Sequence, residues 1–270
     1  MALPVFRETL RRSVASTIYW GLAFAALALL TVVMLPGAEM LQTFADFMAS
    51  MPLVVIRAMG VGEDLEFLAT AEGFIAVGFF SKMLIFFVAY PLVMGTSISA
   101  GEEENGSLEV LLSLPLPRWR VIVEKYAAYL VTMTAILLIL YGGILLGVFL
   151  AGVTLDLAVI RAAVFNLFPS MCFIMGVTTL VGAYVSQARY VLGIVATYII
   201  VSFLLDVVGD MGIGTVAENL SYISFFRYGD SVAVMQHGLE WTSVVTFFAA
   251  GVALMLLSTR VFDLRDIRAD

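Results

Sequence analysis

Between Tyr126 and Ala151 the chain runs without one charged residue, and further apolar runs lie near Val14 to Leu35, Phe74 to Ile98, Val159 to Val185, Tyr190 to Val208 and Trp241 to Thr259. A helix rises about 1.5 Å per residue, so roughly 20 apolar residues cross a hydrocarbon core of about 30 Å. Inside lipid every backbone N–H and C=O must be paired within the structure, which leaves helices or a closed barrel. These runs lack the alternation of barrel strands. The expected fold class is therefore all-α, a polytopic membrane protein with about six transmembrane helices in a single domain over residues 1–270. Composition agrees, with 62% of residues hydrophobic and 13% charged, against about 45–50% and 25% in a soluble domain.

The first run follows Arg11 and Arg12 and ends near Pro36, Gly37 and Ala38, as a secretory signal would. It exceeds the roughly 7–15-residue apolar core of a signal, so a retained span is expected. With six spans both termini share one side, which carries Arg7, Arg11, Arg12, Arg118, Arg120, Lys125, Arg189, Arg260, Arg265 and Arg268. The opposite side carries Arg57, Arg161 and Arg227. The positive-inside rule makes the first set cytoplasmic. The net charge of -7 arises largely on the other side, from residues such as Glu39, Asp46, Glu72, Asp156, Asp206, Asp210, Asp230 and Glu240. A solvated acidic surface explains them better than a cation vestibule, since no metal-ligand spacing stands out.

Three segments outside the spans carry pattern. Over residues 1–13, Phe6 and Leu10 recur with Val14 every fourth residue, while Arg7, Glu8, Arg11 and Arg12 fall elsewhere on the wheel. This fits an N-terminal interfacial helix, and equally a basic anchor continuous with the first span. Residues 37–72 suggest amphipathic helices on the outer face. Residues 209–240 hold Ile223, Phe225, Phe226, Tyr228, Val232 and Val234, too apolar for a solvated loop and too interrupted for a span. Short amphipathic helices entering the outer leaflet or covering a cavity are expected there.

The cytoplasmic loop 101–125 is the most specific segment. It begins Gly101-Glu102-Glu103-Glu104-Asn105-Gly106-Ser107-Leu108-Glu109-Val110-Leu111-Leu112-Ser113-Leu114-Pro115-Leu116-Pro117-Arg118-Trp119-Arg120. Asn105 and Gly106 favour a turn, Ser107 can cap a helix, and Pro115 and Pro117 end it. The result is a helix of about two turns, far short of a span. Leu108, Leu111 and Leu112 share one face, with Glu109 on another. Such a helix can dock into a groove on a partner or lie on lipid, and the acidic cluster before it is repelled by anionic headgroups.

The same stretch resembles the pattern G-E-x-E-x-G-T-L-E-L-L-L-S-x-P-V-S-R, then a G-K pair, of the ABC-2 type permease family. Ser107 stands where threonine is usual, Pro117 where a small polar residue is common, and Glu124, before Lys125, where glycine is typical. The tail Arg260, Phe262, Asp263, Arg265, Asp266 and Ile267 is also similar to the basic ends of these permeases. The resemblance implies the membrane-spanning subunit of an ATP-driven exporter in a plasma membrane, of prokaryotic type, with both termini cytoplasmic. Its implied partners are two copies of a cytoplasmic ATP-binding subunit, a second permease subunit, identical or related, and membrane lipid. Residues 101–125 would hold the coupling helix, with Glu102, Glu103, Glu104, Gly106, Ser107, Leu108, Glu109, Leu111, Leu112, Pro115 and Arg118 meeting the ATPase. Phe6, Arg7, Leu10 and Arg11 would form the elbow helix. ATP and Mg would be bound by the partner, with no cofactor in this chain.

No G-x-x-x-x-G-K-[ST] phosphate loop occurs in the sequence, so no ATP site is recognisable. A lone Cys172 and a lone His237 suit neither a disulfide nor a His-based metal cluster. No catalytic constellation is evident. Lys82, inside the second run, either lines the pathway or snorkels or pairs with a carboxylate such as Asp206. Asn166 and Pro169 interrupt the fourth run and mark a kink or a pathway site. Gly143 and Gly147 allow close helix approach, in ordinary packing or a dimer seam. The competing function is a secondary transporter working without ATP, with Lys82 and Asp206 as coupling charges.

Overall fold

The computed structural model describes residues 3–58, 65–81, 83–98, 100–101, 117–212 and 216–264. Every regular element among them is helical. Helix α1 (Pro4–Val33) is followed by three short helices, α2 (Ala38–Ala49), α3 (Leu53–Ala58) and α4 (Leu65–Leu68). Next come α5 (Ala71–Ile75), a π-helical turn (Ala76–Phe80), α6 (Leu84–Phe87) and α7 (Ala89–Thr96). The long helices α8 (Arg118–Ala151), α9 (Leu157–Tyr184) and α10 (Ala188–Met211) precede α11 (Val216–Ser221), a 3-10 turn (Arg227–Gly229), α12 (Ser231–His237) and α13 (Trp241–Leu264). Helices α1, α8, α9, α10 and α13 are long and apolar enough to cross a membrane, and α5 to α7 make a sixth path bent by 48°. The protein is thus an all-α polytopic membrane protein. Exposed side chains on its long helices, such as Leu138 at 65% and Phe149 at 81%, face the hydrocarbon that replaces water as solvent.

Four expectations change. Residues 4–13 are not a separate interfacial helix but the first turns of α1, whose 30 residues extend ~45 Å. The third span starts at Arg118, so the last residues of the 101–125 segment are already helical. The fourth run is unbroken through Pro169; a proline in a buried helix is tolerated where neighbours satisfy the freed carbonyl. The break falls instead in the second run, where Ser81 N donates to Ala76 O (2.8 Å) in the wider π-type spacing and the axis then turns before Leu84.

Small residues set the packing. The buried residues of α1 are Val5, Thr9, Ser13, Thr17, Gly21, Phe24, Ala25, Ala28 and Val32, mostly short side chains apart from Phe24, and this lets α8 lie along it. At Gly143 of α8 an added Cβ would stand 2.6 Å from Ala25 O and 2.7 Å from its Cα. Backbone meets backbone, as small residues permit in membrane helices. The same device joins α9 to α13, where a Cβ at Gly176 would stand 2.5 Å from Gly251 O. Gly143 and Gly147 therefore serve packing within one chain.

The 209–240 segment enters the bundle more deeply than a cover would. Phe225 and Phe226 are 2% and 4% exposed, within the core shared by α9 and α10. Their backbone needs polar partners there. Ser202 Oγ accepts from Phe225 N (3.1 Å), Ser224 Oγ accepts from Phe226 N (3.1 Å), and Ser202 Oγ donates to Ser224 Oγ (3.1 Å). Ser231 Oγ donates to Ala163 O (3.2 Å), fixing the start of α12 to α9.

Gly143→Val should force α1 and α8 apart. A cost of about 1–3 kcal/mol is expected from overpacking, read as a lower unfolding midpoint in detergent. Gly142→Val, where an added Cβ meets nothing within 4 Å, should leave that midpoint close to the parent's.

Candidate functional site

At the end of the bundle where α1 begins, two adjacent residues of α8 hold two other helices. Glu124 is 4% exposed, and its Oε2 accepts from the backbone N–H groups of Val5 and Phe6, both at 3.0 Å. Those are first-turn donors that a helix cannot satisfy internally. Its Oε1 accepts from Arg120 Nε at 2.6 Å. Lys125, also 4% exposed, donates from Nζ to Ser97 O at 3.0 Å, and Ser97 is the residue that ends α7. The Ser97 Oγ and Tyr129 Oη hydroxyls share a 2.6 Å hydrogen bond.

The polarity of each contact is favourable. A carboxylate meets the positive end of α1 and an ammonium meets the negative end of α7. Successive residues on a helix point about 100° apart, since 3.6 residues make a turn, so one dipeptide can reach two neighbours. The segment 102–116 leaves just after α7 and returns at α8. Lys125 ties α8 to the end of α7, and Glu124 ties α8 to the start of α1.

The residues expected to contact an ATPase, Glu102, Glu103, Glu104, Gly106, Ser107, Leu108, Glu109, Leu111, Leu112 and Pro115, lie outside the described residues, and Arg118 opens α8. Of the elbow residues, Phe6 meets Glu124 through its backbone, Leu10 is half-buried and Arg7 exposed. Arg11 and Arg12 both pair with Glu8, at 2.8 and 2.7 Å, in the open. The face of α1 that packs is Val5, Thr9, Ser13 and Thr17. Of the Phe6, Leu10 and Val14 stripe, Phe6 and Leu10 are half-buried and Val14 is 54% exposed.

At the opposite end lie two cavities. One, of about 330 Å³, is lined by Phe80, Ser81, Leu84, Asp206, Asp210, Phe226, Arg227, Gly229, Asp230 and Ser231. It borders the bend of the second span. The other, of about 400 Å³, includes Asn166, Arg227, Asp230, His237, Glu240 and Ser243. Arg227 and Asp230 belong to both. Asn166 is 4% exposed, and its Nδ2 has no hydrogen-bond partner among the described residues. Arg227 donates to Ser221 Oγ (2.7 Å) and lies 4.2 Å over the Tyr222 ring. Asp230 Oδ1 caps α12 by accepting from Val232 N (2.8 Å). The structure thus puts Asn166 at a polar cavity, while Lys82 is outside the described residues.

Sequence reasoning assigned Asp206, Asp210 and Asp230 to a solvated acidic surface, and missed that they share a cavity with Arg227. The spacing of Asp206 and Asp210, four apart and so on one helical face, was the available signal.

The family model described as ABC-2 family transporter protein matches residues 3–267. No curated protein matches the chain.

Glu124→Ala should leave the Val5 and Phe6 donors without an acceptor, at roughly 1–3 kcal/mol. Hydrogen exchange should then speed up selectively in the first turns of α1. Glu124→Gln, which keeps one carbonyl oxygen, should show a smaller increase.

Proposed function

The chain belongs to the ABC-2 family of transporter proteins, and from that premise we propose that it exports its substrate using ATP hydrolysed by a separate subunit docked on residues 102–116. A protein of this family is a membrane-spanning transport component of an ABC transporter that works with an ATP-binding subunit. Direction, ATP use and the mode of docking are the proposal. The observation that carries it is the Glu124–Lys125 pair, which joins the loop's exit helix to α1 and to the helix from which the loop departs.

On this reading the basic end is cytoplasmic, by the positive-inside rule. Glu102, Glu103 and Glu104 meet basic groups at the rim of a groove in the ATPase, and Leu108, Leu111 and Leu112 seat inside it. ATP and Mg are held by two copies of that partner, and a second permease, identical or related, completes the pathway. A push on the loop moves α7, and α7 leads back through α6 to the bend beside the acidic cavity. The bend gives this span a place to change angle without sliding the packed pairs α1–α8 and α9–α13. Substrate leaves through the acidic end, past Asn166, with Lys82 near the same route.

The bent span also supports a second reading, a secondary transporter without ATP, because broken helices at cavities are common in such proteins. Reconstitution decides between the two. Vesicles holding this chain and its ATP-binding partner should transport only with ATP, and the isolated chain should hydrolyse none. Transport at the same rate without nucleotide would favour the second reading.

Leu111→Asp should remove an apolar contact of roughly 1.5–3 kcal/mol and bury an unpaired carboxylate. Co-purification of the ATPase should then fall by a factor of about ten or more, or hydrolysis should uncouple from transport. Glu104→Gln should act mildly and mainly at low salt, as exposed ion pairs do. Normal insertion, ATPase retention and transport in Leu111→Asp would remove the loop from the coupling route. Asn166→Leu should leave thermal stability unchanged or higher, since it removes a buried amide donor without a partner, while transport slows. Transport at the parental rate would take Asn166 off the pathway.

A further inference from the structure

Consecutive helices α8 and α9 face each other with matched patterns. Thr134, Leu137, Leu138 and Tyr141 stand at i, i+3, i+4 and i+7 on α8, and Arg161, Val164, Phe165 and Phe168 repeat that spacing on α9. Such faces ordinarily interlock. Here they line an apolar groove of about 300 Å³ instead. Leu138 and Phe165 are 65% and 43% exposed, so the groove opens sideways, where lipid surrounds the protein.

One cation stands among its lining residues, and no carboxylate does. Arg161 is exposed, and among the described residues it makes no hydrogen bond or ion pair. Arg227, at the same end of the bundle, is by contrast held by Ser221 and Tyr222. The depth of Arg161 follows from its neighbours. It lies in the second turn of α9, which Asp156 caps by accepting from Ala158 N at 2.8 Å. One turn further, Phe165 packs 6.3 Å from Trp241, the 65%-exposed residue that opens α13. A tryptophan at the mouth of a span sits at headgroup level. From Arg161 the groove runs along α9 for about seven residues, or ~10 Å, between mostly apolar side chains, with the hydroxyl-bearing Tyr141 and Thr134 on the α8 wall.

We infer that this groove binds a glycerophospholipid of the leaflet at the acidic end, with its phosphate on Arg161 and the upper part of one acyl chain between α8 and α9. The guanidinium presents several N–H donors to phosphate oxygens. The exposed leucine and phenylalanine walls give the chain the close contact that a branched protein surface denies to bulk lipid. The acidic surroundings disfavour free anions, but a lipid is held at this depth by its tails. This site is independent of what the chain transports and of how it is powered.

The test uses the full chain in nanodiscs containing equal parts of phosphatidylglycerol, phosphatidylethanolamine and digalactosyldiacylglycerol, followed by native mass spectrometry. Both phosphate-bearing lipids should be retained over the galactolipid by about fivefold, the effect of one basic residue at a membrane surface. Arg161→Gln should abolish that preference, Arg161→Lys should keep most of it, and Arg227→Gln should leave it intact. Leu138→Trp, which narrows the groove, should lower retention of all three lipids. Phospholipid with a diazirine in its acyl chain should cross-link to peptides 134–141 and 161–168 of the unaltered chain. Equal retention of the three lipids by the parent, an undiminished preference in Arg161→Gln, or cross-links elsewhere would each overturn the inference. So would a change in oligomeric state with no change in lipid, which would give the groove to a second copy of the chain.

Discussion

Adjacent residues of α8 carry opposite charges, both buried, and each closes the end of a different helix. Glu124 accepts from the first turn of α1 and Lys125 donates to the last turn of α7. Neither group would survive burial alone, since an unpaired ion in a low-dielectric site costs several kcal/mol. Each is stable because the helix end it meets supplies unsatisfied backbone groups and a partial charge of the opposite sign. The contact therefore fixes where α1 starts, where α7 stops and how α8 emerges between them.

The remaining packing obeys the rules of an apolar solvent. Lipid gives little drive to hide leucines, so helices pair through close backbone approach at small residues, as at Gly143 on Ala25 in the α1–α8 seam and Gly176 on Gly251 in the α9–α13 seam. Some hydroxyls inside the bundle turn back onto their own helices, as Thr178 does to Ile174 O (2.8 Å) and Thr179 to Met175 O (2.7 Å), and others bridge elements, as Tyr126 Oη does to Cys172 O (2.9 Å). Irregular backbone occurs where protein side chains satisfy it. The segment around Phe225 and Phe226 depends on Ser202 and Ser224 in this way, and it walls the cavity that the bent second span also borders.

These two halves of the molecule meet in the α5–α7 span. One end of it is held by Lys125, and the π-turn and bend in its middle border the acidic cavity. The pairs α1–α8 and α9–α13 are stiff because their backbones touch. The bent span makes a close approach of its own at Gly95, where an added Cβ would stand 2.7 Å from Thr178 Cβ.

The apolar runs, the charge asymmetry between the two ends and the loop resembling the ABC-2 pattern were legible in the residues, because each rests on local composition over a window longer than a helix turn. Class and family came from there. The sequence did not show that Glu124 and Lys125 would reach two different helices, that α1 would bury the face carrying Thr9, Ser13 and Thr17, or that the second run would break and bend while α9 continues as helix through Pro169. Nor did it gather Asp206, Asp210, Arg227 and Asp230 around one cavity, or leave Arg161 alone at the edge of an apolar groove. Each of those depends on which neighbour stands opposite. In lipid, an apolar face is equally at home against solvent or protein, so periodicity marks a helix without saying which side of it packs. Only the tertiary structure, through close approach of small residues and the pairing of buried polar groups, makes that choice.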